Sequence, residues 1–336
     1  MNTNNNTNNN DNDYDNNQNK NLIIPSMIFS LENHDLSYSN KKINFKKIIE
    51  DSVITIDINK KKIHNVSDKK KIKEYYNYLK NYIDFDDDHY NLLDKDTKNS
   101  RYSDISTYEY NHVNLKSNVY INASFVDFPV NKYFIATQGP LPHTINDFWD
   151  MIWEYDVNYI VMLCELKEGG KEKCAEYWNP DNNSKYNIKI SEKKEDNFLV
   201  KRVFTIYKKN DNIDVNKKIK NVNQLHFIGW PDHGVPDVNK VFYTFYNMIK
   251  EVKSNGQKPV VVHCSAGVGR TGTFISMFNI YDEIKKQIER EIIKVNIFNL
   301  VRKLKEMRLF LVENISQYEF IYNFICLYVK KLFEKL

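Results

Sequence analysis

The segment Pro259-Val260-Val261-Val262-His263-Cys264-Ser265-Ala266-Gly267-Val268-Gly269-Arg270-Thr271-Gly272-Thr273-Phe274 constrains this chain more than any other. Its β-branched apolar run reads as a buried strand. A tight glycine-bearing loop follows, and a helix is predicted from about Arg270. Small residues let successive backbone N–H groups turn inward and form a concave anion nest. A helix N-terminus adds partial positive charge at the same place. A cysteine on the floor of such a nest is favoured as its thiolate. Arg270 can return over the loop and grip two oxygens of a bound anion with its planar fork. A cysteine with an arginine six positions on is common by chance. The whole string of strand, His-Cys, small residues, Gly-Arg, hydroxyl and glycine is not.

Composition limits the alternatives. The 336 residues fit one large domain or two small ones, and 41% apolar residues suffice for a sizeable core. The formal net charge of +4, from 48 basic and 44 acidic residues, gives no reason to expect a nucleic-acid partner. Short runs such as Lys60–Lys62 and Lys69–Lys71 read as solvated faces, although a mildly basic surface suits an anionic substrate. Cys164, Cys174, Cys264 and Cys326 are spaced for neither a zinc site nor a dense disulfide framework, so no metal is expected and a reducing, cytoplasmic setting is. The N-terminus lacks the apolar core of a signal peptide. The apolar stretch Phe320 to Val329 contains Asn323 and is too short to span a bilayer, so no membrane insertion is expected.

Twelve of the first twenty-one residues are asparagine, a composition that cannot bury apolar surface, and residues 1–40 are expected to be disordered. Residues 41–336 read as one catalytic domain, expected to be monomeric. Within it, Asp68 to Ile83 has helical spacing (Ile72, Tyr75, Tyr76, Leu79, Tyr82), with Asp68 as N-cap. Tyr159 to Leu163 and Val260 to Val262 read as buried strands. Ile145 to Tyr155, Lys240 to Val252, Arg270 to Glu289, Ile292 to Met307 and Gln317 to Phe333 read as helices. The charged stretch Asp181–Asn197 is expected to lie between strands. Interleaved strands and helices imply an α/β (α+β) domain, a mixed sheet packed by helices.

The Cys264 segment resembles the signature loop of the protein tyrosine phosphatases. The resemblance extends in register through Arg101-Tyr102-Ser103-Asp104, Tyr120-Ile121-Asn122-Ala123-Ser124, Ala136-Thr137-Gln138-Gly139-Pro140-Leu141-Pro142, Asp147-Phe148-Trp149, Lys173-Cys174-Ala175-Glu176-Tyr177-Trp178 and Trp230-Pro231-Asp232-His233-Gly234-Val235-Pro236. It implies a highly twisted mixed β-sheet flanked by α-helices and an enzyme acting on tyrosine-phosphorylated proteins without a cofactor. Carried over residue by residue, Cys264 is the nucleophile that forms a cysteinyl-phosphate. Arg270 and the amides of Ser265, Ala266, Gly267, Val268, Gly269 and Arg270 hold the equatorial oxygens. Asp232 is the general acid and later the base, on a mobile loop anchored by Trp230. Thr271 faces the sulfur, and His263 props the loop. Tyr102 stacks on the substrate ring and deepens the pocket, while Asp104 accepts from the substrate backbone. Glu168 buttresses Arg270, and Lys173 contacts the acid loop.

Three positions depart from the family pattern. Ser100 stands where asparagine is usual and Cys164 where threonine is common; both are expected to be structural. Glu313 stands where the first of two glutamines normally positions the hydrolytic water, whereas the second survives as Gln317. An ionised glutamate cannot donate a hydrogen bond, so it is expected to aim water less well and slow the second step. Two rival readings follow. One is a catalytically weak phosphotyrosine-binding module, favoured by Glu313 and opposed by the retention of Cys264, Arg270 and Asp232. The other is a dual-specificity, lipid or RNA phosphatase, opposed by Tyr102 in its Arg-Tyr context.

Overall fold

In a computed structural model, the described residues are 36–38, 41–43, 45–80, 91–93, 98–126, 134–179, 184–209, 218–231 and 234–335. The strands are β1 (Leu36–Tyr38), β2 (Lys41–Ile43), β3 (Ile54–Asp57), β4 (Lys62–His64), β5 (Ala123–Val126), β6 (Phe134–Thr137), β7 (Tyr159–Met162), β8 (Lys167–Glu168), β9 (Lys171–Glu172), β10 (Tyr186–Asp196), β11 (Leu199–Lys208), β12 (Lys220–Phe227), β13 (Val260–His263) and β14 (Ile292–Val295). The helices are α1 (Phe45–Asp51), α2 (Lys69–Lys80), α3 (Ile145–Glu154), α4 (Val238–Ser254), α5 (Gly269–Lys286), α6 (Ile297–Met307) and α7 (Ile315–Lys335).

The main sheet has seven strands in the order β10-β11-β12-β7-β13-β6-β5. Its centre is parallel, with β7 and β6 flanking β13, and its margins are antiparallel. Central parallel strands are covered on both faces and carry continuous apolar runs. The Val260-Val261-Val262 run obeys this, and all four residues of β13 are buried. From β13 the chain turns into α5, which is buried on almost every side as the central helix of the domain. Helices α6 and α7 pack on α5, and α2 packs on both of them. A three-stranded sheet, β14-β3-β4, joins residues near the start of the domain to residues near its end.

Local cues set several boundaries. Asp68 accepts from Lys71 N at 2.8 Å and caps α2, Asp237 caps α4 through Asn239 N at 2.9 Å, and Asn314 accepts from Gln317 N at 3.0 Å at the start of α7. Two expectations need correction. The predicted helix Ile292 to Met307 divides: Ile292–Val295 is β14, whose β-branched residues alternate between exposed and buried, with Ile293 opposite Ile56. Asn296 then accepts from Asn299 N at 2.8 Å and starts α6. The charged stretch Asp181–Asn197, expected to lie between strands, itself contains a strand: Tyr186–Asp196 is the edge strand β10, on which exposed charges guard an open edge. Strand β1 falls within the segment expected to be disordered, whereas residues 1–35, Tyr82, Ile83, Asp232 and His233 lie outside the described residues.

Candidate active site

The loop between β13 and α5 is defined by where its carbonyl groups go. Cys264 O lies 3.1 Å from His263 Nδ1, and Ser265 O accepts from Gly139 N at 2.9 Å. Arg308 donates to Ala266 O at 3.2 Å from Nη2 and to Gly267 O at 2.9 Å from Nε, and Val268 O accepts from Gly272 N at 2.8 Å. In a trans peptide the carbonyl of one residue and the N–H of the next point in opposite directions. Five carbonyls committed to the surrounding protein therefore turn the N–H groups of Ser265 through Gly269 to the inner side. Gly267 permits the turn with φ +73, in the left-handed region.

Cys264 lies at the base of this concavity, 5% exposed, and Thr271 Oγ1 donates to its sulfur at 3.4 Å. His263 is fully buried behind the loop, and burial lowers its imidazole to about 3. The neutral tautomer that satisfies both neighbours donates from Nδ1 to Cys264 O and accepts the Tyr177 hydroxyl at Nε2, 3.0 Å away.

Arg270 crosses the rim and is gripped by Glu168 through two bonds, Nη1 to Oε1 at 2.5 Å and Nη2 to Oε2 at 2.8 Å. Burial works against the guanidinium charge, but the Glu168 bonds and the nearby Cys264 sulfur outweigh it and hold the group firmly protonated. Arg270 also donates to Leu163 O at 3.2 Å and to Pro231 O at 3.4 Å, and its guanidinium lies 5.7 Å from the centre of the buried Trp230 ring. Trp230 Nε1 donates to Gly234 O at 3.2 Å, so the described residues on either side of Asp232 and His233 are tied together.

The Tyr102 hydroxyl donates to Ser265 Oγ at 2.9 Å, and Ser265 Oγ donates to Lys173 O at 2.9 Å. Lys173 thus meets the site through its backbone. Arg101 holds Tyr102 in place with bonds to Gly139 O at 2.9 Å and Pro140 O at 2.7 Å. Asp104 is exposed beside them. Ser100 is half-buried, its Oγ accepting from Asn122 Nδ2 at 3.3 Å, whereas Cys164 is internal and burial pushes its thiol well above its ordinary range. Glu313 and Gln317 close the remaining side. A Cβ built on Gly269 would stand 2.7 Å from both Glu313 Oε2 and Gln317 Nε2.

Sequence reasoning missed three residues here. Arg308 is fully buried and bonds Asn122 Oδ1 at 2.6 Å and Ser124 Oγ at 3.2 Å besides the two loop carbonyls; burial lowers it to about 10, leaving it charged. Lys305 is 5% exposed, and Tyr76 reaches the Glu313 carbonyl from α2. The signal for the two cations was present. Val301, Leu304, Lys305 and Arg308 share one helical stripe, so two charges stand on an apolar face. Among the described residues no cluster of three or more His, Cys, Asp or Glu side chains is placed to hold a metal ion.

The family model described as protein-tyrosine phosphatase matches residues 96–327. Human receptor-type tyrosine-protein phosphatase alpha is 36% identical over 246 residues, covering 70% of this chain and 30% of that protein. Tyrosine-protein phosphatase 69D of Drosophila melanogaster is 32% identical over 310 residues, covering 88% of this chain and 21% of that protein. These matches span less than a third of each relative's length. The crystal structure of the catalytic domain of human protein tyrosine phosphatase non-receptor type 18 superposes with a TM-score of 0.68 at 26% identity, covering 79% of this chain and 96% of that one. A seven-stranded mixed sheet that presents a cysteine–arginine anion nest, with this much of the sequence in register, is the family's own arrangement, and the chain belongs to the protein-tyrosine phosphatases.

Proposed function

We propose that this protein hydrolyses phosphotyrosine in proteins by a two-step displacement. The observation that carries the reading is the ring of committed carbonyls around Cys264, which leaves five amides and Arg270 to receive a phosphoryl group. In step one the Cys264 sulfur attacks phosphorus, the S–P bond forms as the bond to the phenolic oxygen breaks, and Asp232 supplies the proton that the tyrosine oxygen needs. In step two water attacks phosphorus as the S–P bond breaks, Asp232 takes the proton, and the thiolate leaves with help from the Thr271 hydroxyl. The amides and the guanidinium stabilise charge on the equatorial oxygens in both steps.

Tyr102, fixed by Arg101 and Ser265, supports a pocket deep enough to favour a phenolic ester over the shorter phosphoserine. Asp104, exposed two residues on, is assigned to accept from the substrate backbone. Cytoplasmic residence and a monomeric state belong to the same proposal, the first supported by four unpaired cysteines. Among the described residues no helix is long and apolar enough to cross a membrane.

One observation favours the competing reading of a phosphotyrosine-binding module, namely the acidic Glu313 beside Gly269. Turnover of a phosphotyrosine peptide beside a phosphoserine peptide, a phosphoinositide and a 5′-phosphorylated RNA separates the readings. Selective hydrolysis of the phosphotyrosine peptide is expected. Binding without turnover would favour the module, and preference for the lipid or RNA would overturn the substrate class.

A further inference from the structure

Val312 has the least comfortable backbone near the nest. It is β-branched and fully buried, yet has φ +59, a region such side chains rarely adopt. Strain of this kind persists only where the surroundings over-determine it. The surroundings do so here. Val312 N donates to Val268 O at 3.4 Å, and Lys305 Nζ donates to Val312 O at 3.2 Å. Glu313 N donates to Gln317 Oε1 at 2.9 Å, and the Tyr76 hydroxyl donates to Glu313 O. All four backbone polar atoms of Val312 and Glu313 are thereby engaged, by the signature loop, α6, α7 and α2. The Glu313 side chain, although exposed, leaves this fixed platform toward Gly269 at the rim of the nest.

The two outer braces are not neutral spacers. Lys305 is an ammonium in a nearly closed site, where burial lowers it to about 8 while the Glu313 charge opposes that fall. Tyr76 is pushed up to about 12, by burial first and by the Glu313 charge second. The three groups therefore act on one another electrostatically, and Lys305, bonded to the carbonyl that precedes Glu313, is the cation among them.

We propose, on the reading of a two-step phosphatase, that Lys305 and Tyr76 are positioning residues for hydrolysis of the cysteinyl-phosphate: they lock the Val312–Glu313 backbone, and the Lys305 ammonium offsets the charge Glu313 brings to that intermediate. Attack is in line, so water approaches along the direction the phenol left. The Glu313–Gln317 side of the nest then borders water instead of a substrate ring. As the O–P bond forms and the S–P bond breaks, the phosphoryl oxygens stay negatively charged beside the Glu313 carboxylate. The neutral glutamine usual at this position creates no such repulsion, and here the compensating charge is supplied from beneath, by α6. Tyr76 also brings α2, which precedes the matched residues 96–327, into the support of the site.

Rapid-quench kinetics on an aryl phosphate, following phenol and phosphate release separately, tests this with the full chain. Lys305→Met is expected to slow phosphoenzyme hydrolysis about tenfold while its formation stays within about twofold, enlarging the phenol burst. Lys305→Arg keeps donor and charge and should retain wild-type hydrolysis. Lys305→Gln keeps a donor without charge and should fall between, with the loss largely removed when Glu313→Gln is added, as coupling between the two sites requires. Tyr76→Phe should slow hydrolysis by about two- to fivefold. Thermal melting of each variant guards against misfolding, and the folded Arg and Gln variants decide the matter if the Met variant unfolds. Equal loss in both steps, a Lys305 penalty that ignores Glu313, or no change in the burst in any variant would overturn the proposal. Absence of phenol release by the wild type would instead overturn the phosphatase reading beneath it.

Discussion

Cys264 and Asp232 divide the proposed chemistry between a nucleophile and a proton donor. Cys264→Ser is expected to abolish turnover in a folded protein, because a serine hydroxyl in the same nest is not ionised at neutral pH; residual hydrolysis of a phosphotyrosine peptide at wild-type levels would exclude Cys264 as nucleophile. Asp232→Ala should lower kcat by a factor on the order of 10²–10⁴, the usual cost of losing a general acid. Phosphotyrosine binding should survive, and a pull-down competed by vanadate would show it. Full activity in that variant would remove Asp232 from the mechanism. Sequence alone singles out both residues as candidates because each sits in a contiguous motif. Arg308 and Lys305 are not singled out that way. Their partners, Ala266, Gly267 and Val312, are set by how α6 lies against the loop, which no local spacing reveals.

At the scale of elements, α6 and the residue that caps its C-terminus, Arg308, act as a bracket with one cation on each of two loops. Arg308 takes two carbonyls of the nest, so Arg308→Met should free those peptides to rotate and leave Asn122 Oδ1 without its donor. A buried polar group left unsatisfied costs about 1–3 kcal/mol. The variant should melt lower and bind vanadate more weakly by about tenfold or more. An unchanged vanadate affinity would mean the loop keeps its shape without Arg308. The elements themselves were legible where burial follows a simple period. Helices α3, α4 and α7 and strand β13 lie within a few residues of expectation. Strands β10 and β14 were not, for physical reasons. Strand β10 is exposed on both faces along most of its length and so carries no apolar period to read, and Ile292–Val295 runs into α6 with only Asn296 to mark the break.

For the whole molecule, three buried imidazoles predict how the fold responds to acid. Burial first of all lowers His263 to about 3 and His112 and His226 to about 4, against an ordinary 6.5. Between about pH 6.5 and 4 the unfolded chain therefore binds more protons than the folded one, and stability falls as pH falls. Each histidine should contribute a loss on the order of 2 kcal/mol by pH 5. Urea unfolding at pH 7 and pH 5 measures the sum, and His226→Gln should flatten the dependence by about a third. A stability unchanged between those two values would contradict the neutral, buried state of these rings.

The position of β13 has a bearing on how the chain is made. The ribosome delivers β6 and β7 long before β13, yet β13 must lie between them. Until residue 263 emerges, β6 and β7 lack the partner they share, and each leaves an unpaired strand margin. Margins of that kind pair with other chains, and distant pairing is slow to form. The nascent protein is thus expected to pass through a window of exposure to misassembly; insertion of β13 ends it and prepares the anion nest, which Arg308 completes from later in the chain. Activity regained during refolding should track completion of the central sheet.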